Sequence, residues 1–537
     1  MQNSEPAESV LADPGLLAGG TSSPVIPGFS MGSLWGRVFR SDVAILAGGQ
    51  LMQQALTMLT GVAIGRMLGA SGYGVVNIVR NIYTPLLILA PLGLDVALLK
   101  YVGRGDRGLE STKRIVSHLR LVVLIINLAV ALFAGVVMGR VLMGRVYRYA
   151  DFDVMLLITL LGLPIAADLA VLGAYYRSRH RPGSFALMTL YVQPVVRVVL
   201  VALALFLAPT ALMVVAINTL QVAVSAVFVW VHYRLWRRSE GPAATKERPD
   251  RAARREEWRL VRTILGDSSW MALNLFVYGM MRFVDVLVLG AYATGKVVGA
   301  YAALGVVSQL VSIWPMASSQ TLGPKISRHF HAGDLPALRK ELNDYIHFAS
   351  IMSGFIFAGV ATFGDRLDLI FGKSFVFRPG IAFLMPLGYL LSATLGPTGF
   401  ALSMTGRHRA ELGILAIGAV ILWGSCYLLV PRWGDIGAAT AVCITFAIVN
   451  INRFLYVART LGFVPGRPAD LLPPLLALAL AYSAKIAVDA VLPRGLPGLV
   501  IACALYAGAF AAITRAFLLG PEGRLRVQAL LSPRSAH

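Results

Sequence analysis

Asn274, Tyr278 and Arg282 are spaced four residues apart and Asp285 follows three further on, so the four side chains share one helix face. The run that carries them, ILGDSSWMALNLFVYGMMRFVDVLVLG at 264–290, is otherwise mostly apolar. The next apolar run, 298–322, repeats Tyr301, Ser308, Gln309 and Ser312 at helical spacing. Near the start of the chain Gln50, Gln53, Gln54 and Thr57 form one stripe, and Asn77, Arg80, Asn81 and Thr84 form another. The chemistry these groups offer is recognition. Amides and phenols donate and accept hydrogen bonds, and the guanidinium fork matches the oxygens of a phosphate.

Arg80, Arg197 and Arg282 lie inside apolar runs. A charged side chain at the centre of a span costs roughly 3 kcal/mol on insertion scales, so each arginine needs a partner or an aqueous cavity. For Arg282 two partners stand open: Asp285 as an internal ion pair, or a phosphate. Lys485 and Asp489 are four apart and are expected to pair with each other. Arg453, near a span end, is expected to snorkel, and Asp95 and Asp168 to sit at the interface. Catalytic signals are missing. No His, Cys and Asp cluster has ligand spacing, which argues against a metal or another cofactor. Cys426, Cys443 and Cys503 all lie in apolar runs. His329 and His331 fall in a basic loop and are expected to be solvated. The expectation is a protein that is not an enzyme.

The elements that must position these groups are membrane spans. Hydrophobic residues make up 57% of the 537 residues, charged residues 14%, and mean hydropathy is +0.70. About 20 apolar residues cross a bilayer. On that rule the chain holds fourteen spans: 43–65, 75–99, 119–139, 154–176, 185–208, 210–233, 264–290, 298–322, 344–364, 380–404, 410–430, 436–458, 472–492 and 497–519. Pro85 and Pro91, Pro194, and Pro315 predict kinks in the second, fifth and eighth. Residues 1–42 read as a disordered tail with no cleavable signal, and 234–262 as a basic linker between a first lobe, 43–233, and a second, 263–460. Residues 461–537 add two spans and a second tail.

Threading the chain with the N-terminus inside places 33 of the 48 lysines and arginines on inner segments, ten outside and five within spans. That bias predicts cytoplasmic termini. It also accounts for the net charge of +21 without nucleic acid, because basic inner loops lie against anionic lipid headgroups.

The two lobes look like copies. Gly65 and Gly74 flank a short turn, GRMLGASGYG, and Gly290 and Gly299 flank a second, GAYATGKVVG, both at an offset of 225. Gly105-Asp106 matches Gly333-Asp334 at an offset of 228. Six spans per lobe predict a parallel repeat about the membrane normal. Polar stripes on equivalent helices then predict a cavity shared between lobes.

The motifs GRMLGASGYG, LGLDVALLKYV, FVDVLVLGAYATGKVVGAYAALGVVSQL, GPKISRHFHAGDLPALRKEL, LIFGKSFVFRPG and GDIGAATA occur in this order. Together they resemble the polysaccharide biosynthesis proteins, the lipid-linked oligosaccharide flippases of the multidrug/oligosaccharidyl-lipid/polysaccharide exporter superfamily, over nearly all of 43–460. The resemblance implies an all-α polytopic membrane protein with two six-helix lobes and two C-terminal helices. It also implies alternating access and transfer of a polyprenyl-diphosphate-linked glycan across the bacterial inner membrane, with polysaccharide assembly proteins as potential partners. On that reading Arg80, Arg197 and Arg282 face the cavity and bind the diphosphate. Gln50, Gln54, Asn81, Asn274, Tyr278 and Gln309 contact sugar hydroxyls, and Asp285 is the coupling candidate. The alternatives are a multidrug and toxin extrusion antiporter, which would favour acidic cavity residues, and a peptidoglycan lipid-precursor flippase.

Overall fold

Large apolar side chains point away from the protein: Phe133, Leu475, Ile486, Val420 and Phe206 are 64–88% exposed. Such surface is costly in water and compatible with hydrocarbon. The protein is a multi-pass membrane protein, described here by a computed structural model for residues 42–102, 109–139, 146–147, 149–179, 181–204, 206, 209–239, 251–280 and 283–518. The expected tail before residue 42 and the centre of the linker lie outside the described residues. Among the described residues the regular structure is helical throughout.

The first element, Asp42–Leu89, is a hairpin and not a rod. Residues 54 and 81 would stand roughly 40 Å apart along a straight helix, yet Gln54 and Asn81 line one cavity. The reversal is at Gly69, whose φ of 64° and ψ of −180° suit a residue without a Cβ. His408–Leu461 folds back likewise at Gly434, φ 58° and ψ −128°, and so brings Glu411 to Arg453.

Among the described residues ten helices are long and apolar enough to cross a membrane, or eleven with the bent pair Pro379–Leu395 and Pro397–Met404. The fourteen expected spans differ from that number for physical reasons. Gly48–Leu89 and Arg409–Leu461 are double-length, 42 and 53 residues, and each holds two spans joined at a glycine. The expected span 264–290 is divided between Arg251–Met280, which starts in the charged linker, and Val284–Tyr292. Irregular backbone accompanies the kink prolines. A break at 90–93 surrounds Pro91, a π-turn Leu187–Tyr191 precedes Pro194, and a 3-10 turn Gln309–Ser312 precedes Pro315. Pro85 lies within continuous helix.

The halves meet most closely where the glycine-flanked turns lie. There Gly295–Ser308 packs along the first hairpin. A Cβ on Gly74 would collide with the Gly295 carbonyl, and one on Gly299 with the Ala70 carbonyl. Arg66 reaches across and donates to the Ile370 carbonyl at 2.6 Å and the Leu369 carbonyl at 3.0 Å, while Ala70 N donates to Ser374 Oγ at 3.1 Å. In the opposite sense Tyr147 Oη donates to the Leu287 carbonyl at 3.0 Å and Tyr149 Oη to the Ala293 carbonyl at 3.2 Å.

At the other end the first half is touched chiefly by Arg251–Met280. Arg114 Nε pairs with Glu257 at 2.8 Å, the rings of His118 and Trp258 lie 5.0 Å apart, and Gly93, at φ 73°, approaches the Ser268 carbonyl too closely for a side chain.

The last two long helices, Leu472–Asp489 and Leu496–Ile513, attach to Leu335–Phe363 and the turn after it. Here the expected Lys485–Asp489 pair is corrected. Lys485 Nζ bonds Asp365 at 2.8 Å, and Asp489 pairs with Arg366. The neighbouring helix brings an opposite charge to each, and this outcompetes a pairing along one exposed helix face.

Candidate functional site between the halves

A cavity of about 250 Å³ lies between the halves. The first hairpin contributes Gln54, Thr57, Arg80 and Asn81, because the reversal at Gly69 lays its two polar stripes side by side. Val284–Tyr292 contributes Asp285, Gly295–Ser308 contributes Tyr301, and the 3-10 turn contributes Gln309. Met385 and Tyr389, on the helix Pro379–Leu395, close the wall. Tyr301 Oη donates to Asp285 Oδ2 at 2.8 Å, and Asp285 Oδ1 is buried without a hydrogen bond among the described residues. Arg80 is exposed to the cavity.

Two further chambers open beside this cavity. One, about 710 Å³, lies within the first half and is lined by Gln53, Thr189, Gln193, Arg197, Asn218 and Gln221. It shares Thr57, Arg80 and Thr84 with the cavity between the halves. The other, about 410 Å³, lies within the second half around Glu411, Asn450 and Arg453 and shares Tyr389. Arg453 does not snorkel as expected. It pairs with Glu411 and lies 3.4 Å from Asn450 Oδ1, since a carboxylate at equal depth is a nearer partner than the interface. Asp168 also departs from an interfacial role. It is buried, accepts from Arg120 Nε at 2.6 Å and Nη2 at 2.8 Å, and from Trp230 Nε1 at 2.7 Å.

The expected site residues therefore divide. Gln54, Arg80, Asn81, Asp285 and Gln309 come together between the halves. Arg197 lines the chamber of the first half, away from the shared cavity. Gln50 is exposed and lines neither. Asn274 and Tyr278 sit on the described backbone of Arg251–Met280, with side chains outside the description, and Arg282 lies outside the described residues. Asn77 also lines the cavity between the halves, and its amide donates to the Tyr73 carbonyl one turn earlier on its own helix at 2.8 Å. Sequence reasoning passed over Gln193, Asn218 and Gln221. Their spacing to one another and to Arg197 carries the same stripe signal that marked the first two spans. Among the described residues neither Arg80 nor Arg197 has an ion-pair partner.

The family model of the polysaccharide biosynthesis proteins matches residues 39–330, more than half of the chain. The chain belongs to the polysaccharide biosynthesis protein family. A curated relative, the probable low-salt glycan biosynthesis flippase Agl15 of Haloferax volcanii, is 20% identical over 206 residues, which are 38% of this chain. The match spans 44% of that relative's length. Among solved structures, this polysaccharide biosynthesis protein is similar in fold to the lipid II flippase MurJ in an inward closed conformation. The TM-score is 0.66 at 12% identity, covering 88% of this chain and 99% of that one. It is similar as well to a multidrug resistance MATE family transporter of the MOP superfamily in its inward-facing conformation. There the TM-score is 0.62 at 14% identity, over 76% of this chain and 94% of that one. Against an outward-facing conformation of such a transporter the TM-score is 0.53. The two-lobed all-helical fold expected from the sequence is the fold of these neighbours.

Proposed function

We propose that this protein is a flippase that carries a polyprenyl-diphosphate-linked oligosaccharide across the bacterial inner membrane by alternating access, for exopolysaccharide, capsule or O-antigen assembly. The observation that carries this reading is the cavity between the halves, where Arg80, which has no ion-pair partner among the described residues, stands among the amides Gln54, Asn81 and Gln309. A guanidinium at membrane depth with amide neighbours suits an anionic headgroup followed by hydroxyls. Family membership, and the likeness to the probable glycan biosynthesis flippase of Haloferax, point the same way.

In this reading the termini are cytoplasmic and the glycine-flanked turns face the periplasm. The closed end is then the periplasmic end, in keeping with the better superposition on the inward-facing neighbour. A cavity of about 250 Å³ is smaller than most ligand sites, which run from roughly 300 Å³ upward. The halves must part further to admit a glycan, while the polyprenyl tail stays in lipid. Arg80, Arg197 and Arg282 are proposed to meet the diphosphate, and Gln50, Gln54, Asn81, Asn274, Tyr278 and Gln309 the sugars. Asp285, held by Tyr301, is proposed as the coupling group.

Asp285 also supports a second reading, a cation antiporter, because one carboxylate oxygen is buried without a partner among the described residues. A deletion strain separates the two. The flippase reading expects lipid-linked glycan to accumulate on the cytoplasmic leaflet. Normal glycan export with increased sensitivity to organic cations would favour the antiporter.

A further inference from the structure

Outside the cavity between the halves, an open cleft of about 760 Å³ lies at the turn end, and every residue that lines it belongs to the second half. Tyr292 and Thr294 come from the glycine-flanked turn, Arg378 from the start of Pro379–Leu395, and Arg432, Trp433 and Asp435 from the reversal at Gly434. Three helices run from this cleft to the cavity. Tyr292 is seven residues from Asp285, Arg378 seven from Met385, and Asp435 seven from Val442, and the inner residue of each pair lines the cavity. Seven residues of helix rise about 10 Å, so the cleft stands two turns above the cavity on three helices at once. It adjoins the seam between the halves, because Tyr149 Oη of the first half donates to the carbonyl of Ala293, in the cleft wall, at 3.2 Å.

The lining has the chemistry of a sugar site. Trp433 and Tyr292 are 55% and 54% exposed and offer flat apolar faces with a polar edge. Asp435 is buried, and its Oδ1 accepts from Arg378 Nη1 at 3.2 Å and from Ile436 N at 3.0 Å. Its Oδ2 has no hydrogen-bond partner among the described residues. A carboxylate only accepts, so that oxygen calls for a donor. A phosphodiester headgroup offers acceptors alone and meets Asp435 with like charge. A sugar hydroxyl donates to the carboxylate and accepts from a guanidinium, and the C–H face of the ring suits an aromatic surface.

We propose that this cleft binds sugar residues of the transported glycan as they leave the cavity, with Trp433 and Tyr292 as stacking faces and Asp435, Arg378 and Arg432 as hydroxyl partners. The flippase reading enters only in naming the transported glycan as the source of those sugars. The cleft is open to solution while the turn end is closed, so saccharide binding there does not require the halves to part.

The test titrates the oligosaccharide released by mild acid from the cells' lipid-linked pool into the full chain in phosphatidylcholine nanodiscs, read by saturation-transfer NMR. The expected result is saturable binding by the parent, at least tenfold weaker in W433A/Y292A and within threefold of the parent in W433F, which keeps an aromatic face. Both aromatic side chains are half-exposed, so an unchanged thermal midpoint shows that the alanine variant is folded. Parental affinity in W433A/Y292A, or no saturable binding by the parent, would overturn the site. Phosphatidylglycerol in the nanodiscs, or added inorganic phosphate, should change the affinity by less than twofold. Competition by either that is lost in R378Q/R432Q would assign the cleft to lipid headgroups and overturn the proposal. Transport in sealed vesicles separates this proposal from the flippase reading. Aromatic-dependent binding by a chain that moves no lipid-linked glycan upholds the site and contradicts the flippase. Transport by the parent, with parental saccharide affinity in W433A/Y292A, does the reverse.

Discussion

Gly74 and Gly299 touch backbone to backbone across the halves, and each meets the counterpart of what the other meets. A Cβ on Gly74 would lie 2.8 Å from Gly299 N, and one on Gly299 would lie 3.1 Å from Gly74 N. Gly74 abuts Gly295 while Gly299 abuts Ala70, and 70 and 295 differ by the same 225 residues as 74 and 299. Reciprocal contact at a constant offset is what a twofold axis between two copies produces.

That contact sets the first prediction. Gly299→Ala and Gly74→Ala each place a methyl against a carbonyl with no room for it. Overpacking of this kind costs roughly 1–3 kcal/mol, so each variant shifts the equilibrium away from closure at the turn end by roughly five- to hundredfold. The rate of disulfide formation between S71C and G295C reads this directly. Cross-linking as fast as in the parent would show that the glycines do not set closure.

The second prediction concerns the ion pair inside the second half. Glu411 and Arg453 each have 12% exposed side chains. Removing one partner of a buried pair costs roughly 3–5 kcal/mol, and replacing both with apolar groups restores much of it. Glu411→Gln should lower the thermal midpoint of the purified protein, and E411L/R453M should recover it. A Glu411→Gln variant as stable as the parent would mean that the pair is solvated.

Much of this arrangement is legible in the residues, and the rest fails for identifiable reasons. The glycine offset and the stripes Gln54–Thr57 and Arg80–Thr84 are local patterns, and they bring together the groups of the cavity between the halves. What periodicity does not contain is the identity of the helix opposite. Lys485 and Asp489 satisfy the spacing for an internal pair, yet Asp365 and Arg366 on another helix take them. Arg453 and Asp168 read as interfacial from their positions near span ends, but Glu411 and Arg120 arrive from helices 42 and 48 residues away. The chamber of Arg197 is a middle case. Gln193, Asn218 and Gln221 show the same stripe as the first two spans, so the signal was present in the sequence, and only the packing gives it a destination.

Topology supplies the third prediction. Reporter fusions at Gly144, Lys373 and Arg494 should report the periplasm, because 33 of 48 basic residues otherwise fall on the wrong side. A cytoplasmic signal at Lys373 would place the Arg66 contact with Ile370 at the cytoplasmic end, and the structure would then be outward-facing.

The most direct measurement of the central claim is transport by the purified chain in sealed vesicles loaded on one leaflet with a polyprenyl-diphosphate-linked oligosaccharide. A membrane-impermeant glycan-modifying enzyme added outside reports arrival at the far leaflet. The proposed function predicts that the parent protein moves the glycan. It predicts that R80Q, R197Q and R282Q lose at least nine-tenths of that activity at equal abundance, and that lysine at the same positions keeps part of it as a point charge. Transport by all three glutamine variants at the parent rate would contradict the proposed use of these arginines. No transport by correctly folded parent protein would contradict the flippase itself.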